Sequence, residues 1–274
     1  MSTLPLNSGT SIPQIGYGTY ATEDTATMVA EALGLGYRHL DTAQMYGNEA
    51  GVGEGVRRSG VDRSEVFITT KLDNDVHRHD DALESFDRSL RALGTDYVDL
   101  FLIHWPLPTR YGGDFVSTWR TMLEIAESGR AKAVGVSNFE PEHVEALVRE
   151  TGVVPAVNQI EVHPYFANDA VRSCCREHGI VVEAWSPLGR GDEFDDPTVR
   201  EVADQLDASP AQVILRWHLQ RGDVIIPKSS TRERMRENFD LHSFQLSDEQ
   251  MSSITALDRG ADGRRGAHPD TFTG

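Results

Sequence analysis

Four side chains of complementary chemistry stand out in the first half of the chain: the carboxyl of Asp41, the phenol of Tyr46, the amine of Lys71 and the imidazole of His104. An unperturbed tyrosine titrates near ~10, too high to exchange protons readily at neutral pH. An ammonium beside the phenol favours the phenolate and draws that value down. Asp41 next to Lys71 would keep the amine charged and oriented, while His104 would hydrogen-bond a substrate oxygen and hold it against Tyr46. Such a quartet delivers a proton to an alkoxide as hydride reaches a carbonyl carbon, so it requires a hydride donor. Taken singly, each residue has an ordinary reading: Asp41 as a helix or turn cap, Lys71 as a solvated strand end, Tyr46 as a loop aromatic, His104 as a hydrogen-bonded core histidine. Only convergence in space makes them a site.

The surrounding elements supply a reason to converge. After a hairpin signalled by Asn7-Ser8-Gly9, the pattern predicts a strand at 15–18, a helix at 23–35 and a strand at 37–41. The alternation continues with helix 48–59, strand 66–71, helix 79–93, strand 98–103, helix 115–128 and strand 132–136. It closes with helix 141–150, strand 156–160, helix 168–178, strand 181–185, helices near 197–221, strand 224–226 and helix 231–239. Seven of these eight βα strands end on a polar or aromatic residue suited to a site: Asp41, Lys71, His104, Asn138, Gln159, Trp185 and Lys228. Functional residues at strand C-termini describe the working rim of an eight-stranded barrel. Capping boxes are expected at Ser209, Ser230 and Ser247. The open, doubly wound alternative should carry G-x-G-x-x-G directly after a strand. The nearest candidate, Gly51-Val52-Gly53-Glu54-Gly55, has the wrong spacing and falls inside a helix. The expectation is therefore an α/β fold, a (β/α)8 TIM barrel with an N-terminal hairpin and two extra helices. No linker or composition break divides it, so residues 1–274 read as one barrel domain whose tail after Gly260 is a flexible loop.

Composition narrows the partners. With 26 Lys+Arg against 43 Asp+Glu the formal net charge is −17, which argues against nucleic acid or an anionic membrane. Solubility and adaptation to salt both account for such a surface. Lysine occurs only at Lys71, Lys132 and Lys228, and two of these stand at strand ends. The two cysteines, Cys174 and Cys175, are adjacent on a predicted helix and read as structural thiols. The first residues lack the basic and apolar regions of a secretory leader, and no run approaches the ~18 apolar residues of a membrane span. A cytoplasmic monomer is the expectation. The histidines lack ligand spacing, so no metal is expected.

The stretches Gly36-Tyr37-Arg38-His39-Leu40-Asp41-Thr42-Ala43-Gln44-Met45-Tyr46-Gly47-Asn48-Glu49, Gly135-Val136-Ser137-Asn138-Phe139 and Ile226-Pro227-Lys228-Ser229 resemble the three signatures of the aldo-keto reductases. The likeness runs from about residue 12 to the C-terminus, and the length and the closing Ala267-His268-Pro269-Asp270 are most similar to the short bacterial 2,5-diketo-D-gluconate reductases. The resemblance implies NADP(H) bound in extended form without a Rossmann domain. By matching position, Tyr46 is the general acid and Asp41, Lys71 and His104 complete the tetrad. Ser137, Asn138 and Gln159 would hold the nicotinamide carboxamide, and Trp185 would stack on its ring. Ser186, Leu188 and Gly189 would border the pyrophosphate, the glycine permitting close backbone approach.

The 2′-phosphate site has an independent argument. Lys228-Ser229-Ser230-Thr231 leads into a helix whose free N–H groups favour an anion. Arg234, Glu237 and Asn238 share one face of that helix, and Arg234 can pair with phosphate or stack on adenine. One position departs from the family: Asp73 follows Lys71-Leu72 where an aromatic, often tryptophan, is common. Asp73 either faces the pocket and disfavours acidic substrates or is a solvated loop aspartate beside Asn74 and Asp75. Tyr20, Trp105 and the 261–270 loop would form the rest of the mouth. These residues imply reduction of small aldehydes, ketones or dicarbonyls, keto sugars such as 2,5-diketo-D-gluconate included. The alternatives are an NADP(H)-binding regulatory subunit, as in the potassium-channel β subunits that resemble this family, and a barrel isomerase or aldolase using Lys71 as a Schiff-base nucleophile. Asp41 argues against the latter by keeping the amine protonated.

Overall fold

The computed structural model describes residues 2–274. A hairpin comes first, β1 (Thr3–Pro5) pairing antiparallel with β2 (Ser11–Pro13). Eight parallel strands follow and pair in chain order: β3 (Tyr17–Gly18), β4 (His39–Asp41), β5 (Phe67–Leu72), β6 (Leu100–Ile103), β7 (Val134–Ser137), β8 (Val157–Glu161), β9 (Val181–Trp185) and β10 (Val224–Ile225). A parallel bridge between Ile15 and Ile225 joins the last strand to the first, and the Gly16 N–H donates to the Ile225 carbonyl at 2.8 Å. The sheet is thus a closed barrel, as the absence of a dinucleotide fingerprint suggested. Its seam is tight: a Cβ on Gly18 would lie 2.7 Å from the Ile226 carbonyl oxygen, so any side chain there would prise the strands apart.

Helices α1 (Thr25–Leu35), α2 (Glu49–Ser59), α3 (His79–Leu93), α4 (Phe115–Glu127), α5 (Pro141–Thr151) and α6 (Asp169–His178) each follow a strand. They are succeeded by α7 (Pro197–Leu206), α8 (Pro210–Gln220), α9 (Arg232–Phe239) and α10 (Asp248–Thr255), of which α7 and α10 are the two additions to the eightfold repeat. Apolar spacing explains how they dock. On α3, Ala82, Phe86, Leu90 and Leu93 recur every three or four residues and are all buried, Phe86 packing 4.6 Å from Phe101 of β6. Truncating that phenylalanine to alanine would cost about 3–5 kcal/mol. Among the described residues, no helix is long and apolar enough to cross a membrane.

Strand periodicity sets the interior. Alternate residues face the same side, so Phe67, Leu100, Leu102, Val157 and Val224 stand two or four residues below Lys71, His104, Gln159 and Lys228 on the same columns. These apolar residues form a cluster with Leu6 and Ile12 of the hairpin region, which plugs the N-terminal end of the barrel. Polar residues are thereby confined to the upper layers.

Three expectations need correction. Tyr37 lies outside β4 because its N–H closes α1 on the Ala32 carbonyl, at 3.1 Å. Boxes form at Ser209 and Ser247, but α9 is preceded by Thr231 without a side-chain cap, since the Ser229 hydroxyl accepts the Thr231 N–H instead. The tail is fastened, not flexible: after a 3-10 turn at Gly260–Gly263, the N–H groups of Arg265 and Gly266 donate to the Glu161 carboxylate at 2.6 and 2.8 Å.

Candidate active site

The quartet converges at the C-terminal end of the barrel. Asp41 ends β4, Lys71 stands in β5, His104 directly follows β6, and Tyr46 closes a 3-10 turn at Gln44–Tyr46. Lys71 is fully buried, and its Nζ lies 2.8 Å from both Asp41 carboxylate oxygens, 2.9 Å from the Thr42 carbonyl and 3.3 Å from the Tyr46 hydroxyl. An ammonium has three hydrogens, so the carboxylate shares one and the phenol receives another. The His104 ring meets the Tyr46 ring edge-on at 5.8 Å.

The turn carrying Tyr46 is pinned from several sides. Asn48 donates to the Thr19 carbonyl at 2.9 Å and accepts from the Thr42 hydroxyl at 2.8 Å. Gln44 donates to Ser89 at 2.9 Å and accepts the Asp73 N–H at 2.8 Å. Buried Glu49 accepts from the Thr70 and Ser89 hydroxyls at 2.6 and 3.1 Å. Burial of a carboxyl is offset by such bonds, and together they hold the phenol over the ammonium.

Protonation follows from burial and charge. Burial alone would discharge Lys71, but the Asp41 carboxylate beside it leads the opposing charges and holds the ammonium above its ordinary value. Burial pushes the Tyr46 phenol up, and the charge of Lys71 pulls it back only in part. The lysine acts in the expected direction, but burial outweighs it and the net shift is upward, not downward: Tyr46 keeps its proton at neutral pH, as an acid must. Burial first, then the charges of Lys71 and His77, hold His104 far below its ordinary value, so it stays a neutral imidazole.

A cavity of about 590 Å³ opens above the quartet. Asp41, Tyr46, His104, Ser137, Asn138, Gln159, Trp185, Ser186, Leu188 and Lys228 all contribute to its wall, together with Tyr20 and Trp105. Asn138 takes a left-handed backbone with φ of 62°, which aims its amide across the rim. Its Nδ2 donates to the His104 carbonyl at 3.0 Å and its Oδ1 accepts from the Trp185 indole at 2.8 Å, fixing the indole plane. Leu188, Arg190 and Lys228 also border a second cavity of about 480 Å³, where Ser229, Ser230, Arg234, Glu237 and Asn238 meet. The two form one elongated cleft, with Lys228 and Arg190 where they meet and Arg234 at the far end, within a chain of net charge −17.

Two anticipated residues fall elsewhere. Asp73 is not on the cavity wall; its carboxylate accepts the Asp75 N–H at 3.2 Å, as in an ordinary Asx turn. Gly189 is buried against Glu193, where a Cβ would collide, and the wall position goes to Arg190. Met45, Arg190 and Phe272 were not anticipated. Phe272 reaches the mouth because the fastened tail lays it on Trp105, ring centres 4.2 Å apart. Gly266 makes that path possible, since a Cβ there would lie 2.4 Å from the Trp185 ring.

A closed barrel presenting a protonated phenol, a paired ammonium and a long cationic cleft is the frame of an oxidoreductase. The chain belongs to the aldo/keto reductase family, whose family model matches residues 5–192 and 193–259. An aldo-keto reductase of Mycolicibacterium smegmatis is 47% identical over 271 residues, covering 98% of this chain and 97% of its own length. Methylglyoxal reductase DkgA of Escherichia coli is 42% identical over 275 residues, 99% of this chain and 98% of its own. A crystal structure of a Gox0644 mutant in complex with NADPH matches with a TM-score of 0.94 at 44% identity, covering 99% of this chain and 98% of that one.

Proposed function

We propose that the protein reduces small aldehydes, ketones and dicarbonyls to alcohols with NADPH, Tyr46 being the proton donor. The observation that carries this is the 3.3 Å contact between the Lys71 ammonium and a phenol that retains its proton at the floor of the cavity. The cleft fits the cofactor. Ser137, Asn138 and Gln159 gather a hydroxyl and two amides where a carboxamide would sit, Trp185 offers a ring face, and Arg234 and Lys228 offer charge to a 2′-phosphate. Methylglyoxal, the substrate in the name of the Escherichia coli relative, is of the size and class proposed.

The bound cofactor would supply a hydride to the carbonyl carbon. The chain's own residues do the rest. His104, neutral, donates one N–H to the substrate oxygen and orients it. Tyr46 gives its hydroxyl proton to that oxygen as negative charge develops there. The phenolate left behind is stabilised by Lys71, whose charge Asp41 in turn neutralises. Trp105 and Phe272 exclude water from the carbonyl face, which strengthens each of these contacts.

NADPH oxidation against a panel of methylglyoxal, benzaldehydes and keto sugars tests the reading, with Tyr46→Phe beside the wild type. Turnover should vanish in the variant while NADPH affinity stays near wild type. Retained turnover refutes Tyr46 as donor, and no turnover by wild type with any member refutes the substrate class.

A further inference from the structure

One buried carboxyl beneath the quartet takes no part in the chemistry above. Glu183 stands two residues before Trp185 on β9, so it points inward one layer below the rim. It is fully buried, as is His39, two residues before Asp41 on β4. Glu183 Oε2 accepts a 2.9 Å bond from Gln159 Nε2, and the same nitrogen donates to Asp41 Oδ2 at 2.8 Å. A carboxamide nitrogen carries two hydrogens. Gln159 has therefore committed both to carboxyl groups, and its oxygen is the end left for the cavity it lines.

We propose that Glu183 is a positioning residue for the cofactor site: by accepting the second amide hydrogen of Gln159, it turns the Gln159 oxygen outward to accept from a nicotinamide carboxamide N–H. This rests on the NADP(H) reading given above. Without Glu183, Asp41 would engage only one of the two hydrogens, and the amide would be free to swing about that single bond.

Charge balance indicates the form in which Glu183 does this. The groups facing it are Asp41 and His39 of β4, Lys71 of β5 and Gln159 of β8. Lys71 is the single ammonium among them and Asp41 already neutralises it, so a second anion would stand uncompensated. Burial, then the charge of Asp41, pushes Glu183 up to about 8, and burial pushes His39 down to about 3. His39 Nδ1 faces the Pro13 carbonyl at 3.3 Å and so carries its hydrogen there, while Nε2 faces the Thr69 hydroxyl at 3.1 Å, with Glu183 Oε1 3.4 Å from the same nitrogen. The neutral acid thus accepts from Gln159 through Oε2 without placing a second charge beside Asp41. A glutamine side chain reproduces that uncharged acceptor.

The test measures calorimetric affinity for NADP+ and for 2′-phospho-ADP-ribose, the same ligand without nicotinamide, in wild type, Glu183→Leu and Glu183→Gln. Glu183→Leu should weaken NADP+ by about fivefold, the worth of one neutral hydrogen bond, and leave the truncated ligand as in wild type. Glu183→Gln should recover most of that loss. The proposal is overturned by unchanged NADP+ affinity in Glu183→Leu, by equal weakening of both ligands, or by Glu183→Gln binding as poorly as Glu183→Leu. A wild type that binds neither ligand overturns the cofactor reading, and the proposal with it.

Discussion

Replacing Lys71 by methionine separates the electrical role of the lysine from its structural one. Its Nζ lies 3.3 Å from the Tyr46 hydroxyl. At an effective dielectric of about 20, a charge at that distance stabilises the phenolate by about 5 kcal/mol, or roughly three to four pK units. The variant's phenol becomes a far weaker acid towards the nascent alkoxide, and kcat should fall by about a thousandfold, within the span of general acid catalysis. The same change strands Asp41, which is 2% exposed, without its ion partner. Breaking a buried pair from one side costs about 3–5 kcal/mol, so the thermal midpoint should drop by on the order of 10 °C. The double variant Asp41→Asn/Lys71→Met removes both charges and should regain most of that midpoint without regaining rate. Steady-state NADPH oxidation with methylglyoxal and thermal unfolding of the three proteins provide the readouts. A single variant within threefold of wild-type kcat, or a double variant that recovers turnover, would refute the assignment.

Other residues give sharp outcomes too. Arg234→Ala should raise the KM for NADPH far more than that for NADH, because only NADPH carries the 2′-phosphate; an equal rise removes Arg234 from that site. Phe272→Ala uncovers Trp105 and should raise the KM for benzaldehydes several-fold while NADPH affinity holds; unchanged KM would exclude Phe272 from the substrate wall. His163 lies 3.1 Å from Glu161 and 2.7 Å from Glu193. Burial alone would discharge it, but the two carboxylates hold it above its ordinary value of about 6.5. A raised folded pKa means the stabilisation is complete below about pH 6.5 and lost as pH climbs through the folded value. The thermal-midpoint advantage of wild type over His163→Gln should therefore shrink as pH rises through that window, and a constant difference would refute the charged state.

The alternation and its rim were legible because seven of the eight strands are short runs closed by one functional residue, a pattern visible in Lys71 and His104 without any partner. Gln159 and Trp185 were legible for the same reason. What escaped depended on contacts across the fold. Phe272 sits in a tail with no periodicity, and its route over Trp105 is dictated by Glu161, far away in sequence. Glu183 sits two residues inside a strand end, where a lone acid among apolar neighbours signals neither face until the column of Trp185 is counted back. The net shift of Tyr46 was misjudged because neighbouring charge can be inferred from residue types, whereas burial cannot. Asp73 stayed open until its turn decided which way the carboxylate pointed.

The ion pair beneath the cavity carries one more implication. A primary amine lying within reach of a reactive carbonyl would ordinarily condense with it and poison the protein. Lys71 is shielded from that fate because Asp41 and the Thr42 carbonyl engage its hydrogens and keep its lone pair tied up in an N–H bond. The contact that sharpens the proton donor thereby also protects the chain from its own cargo.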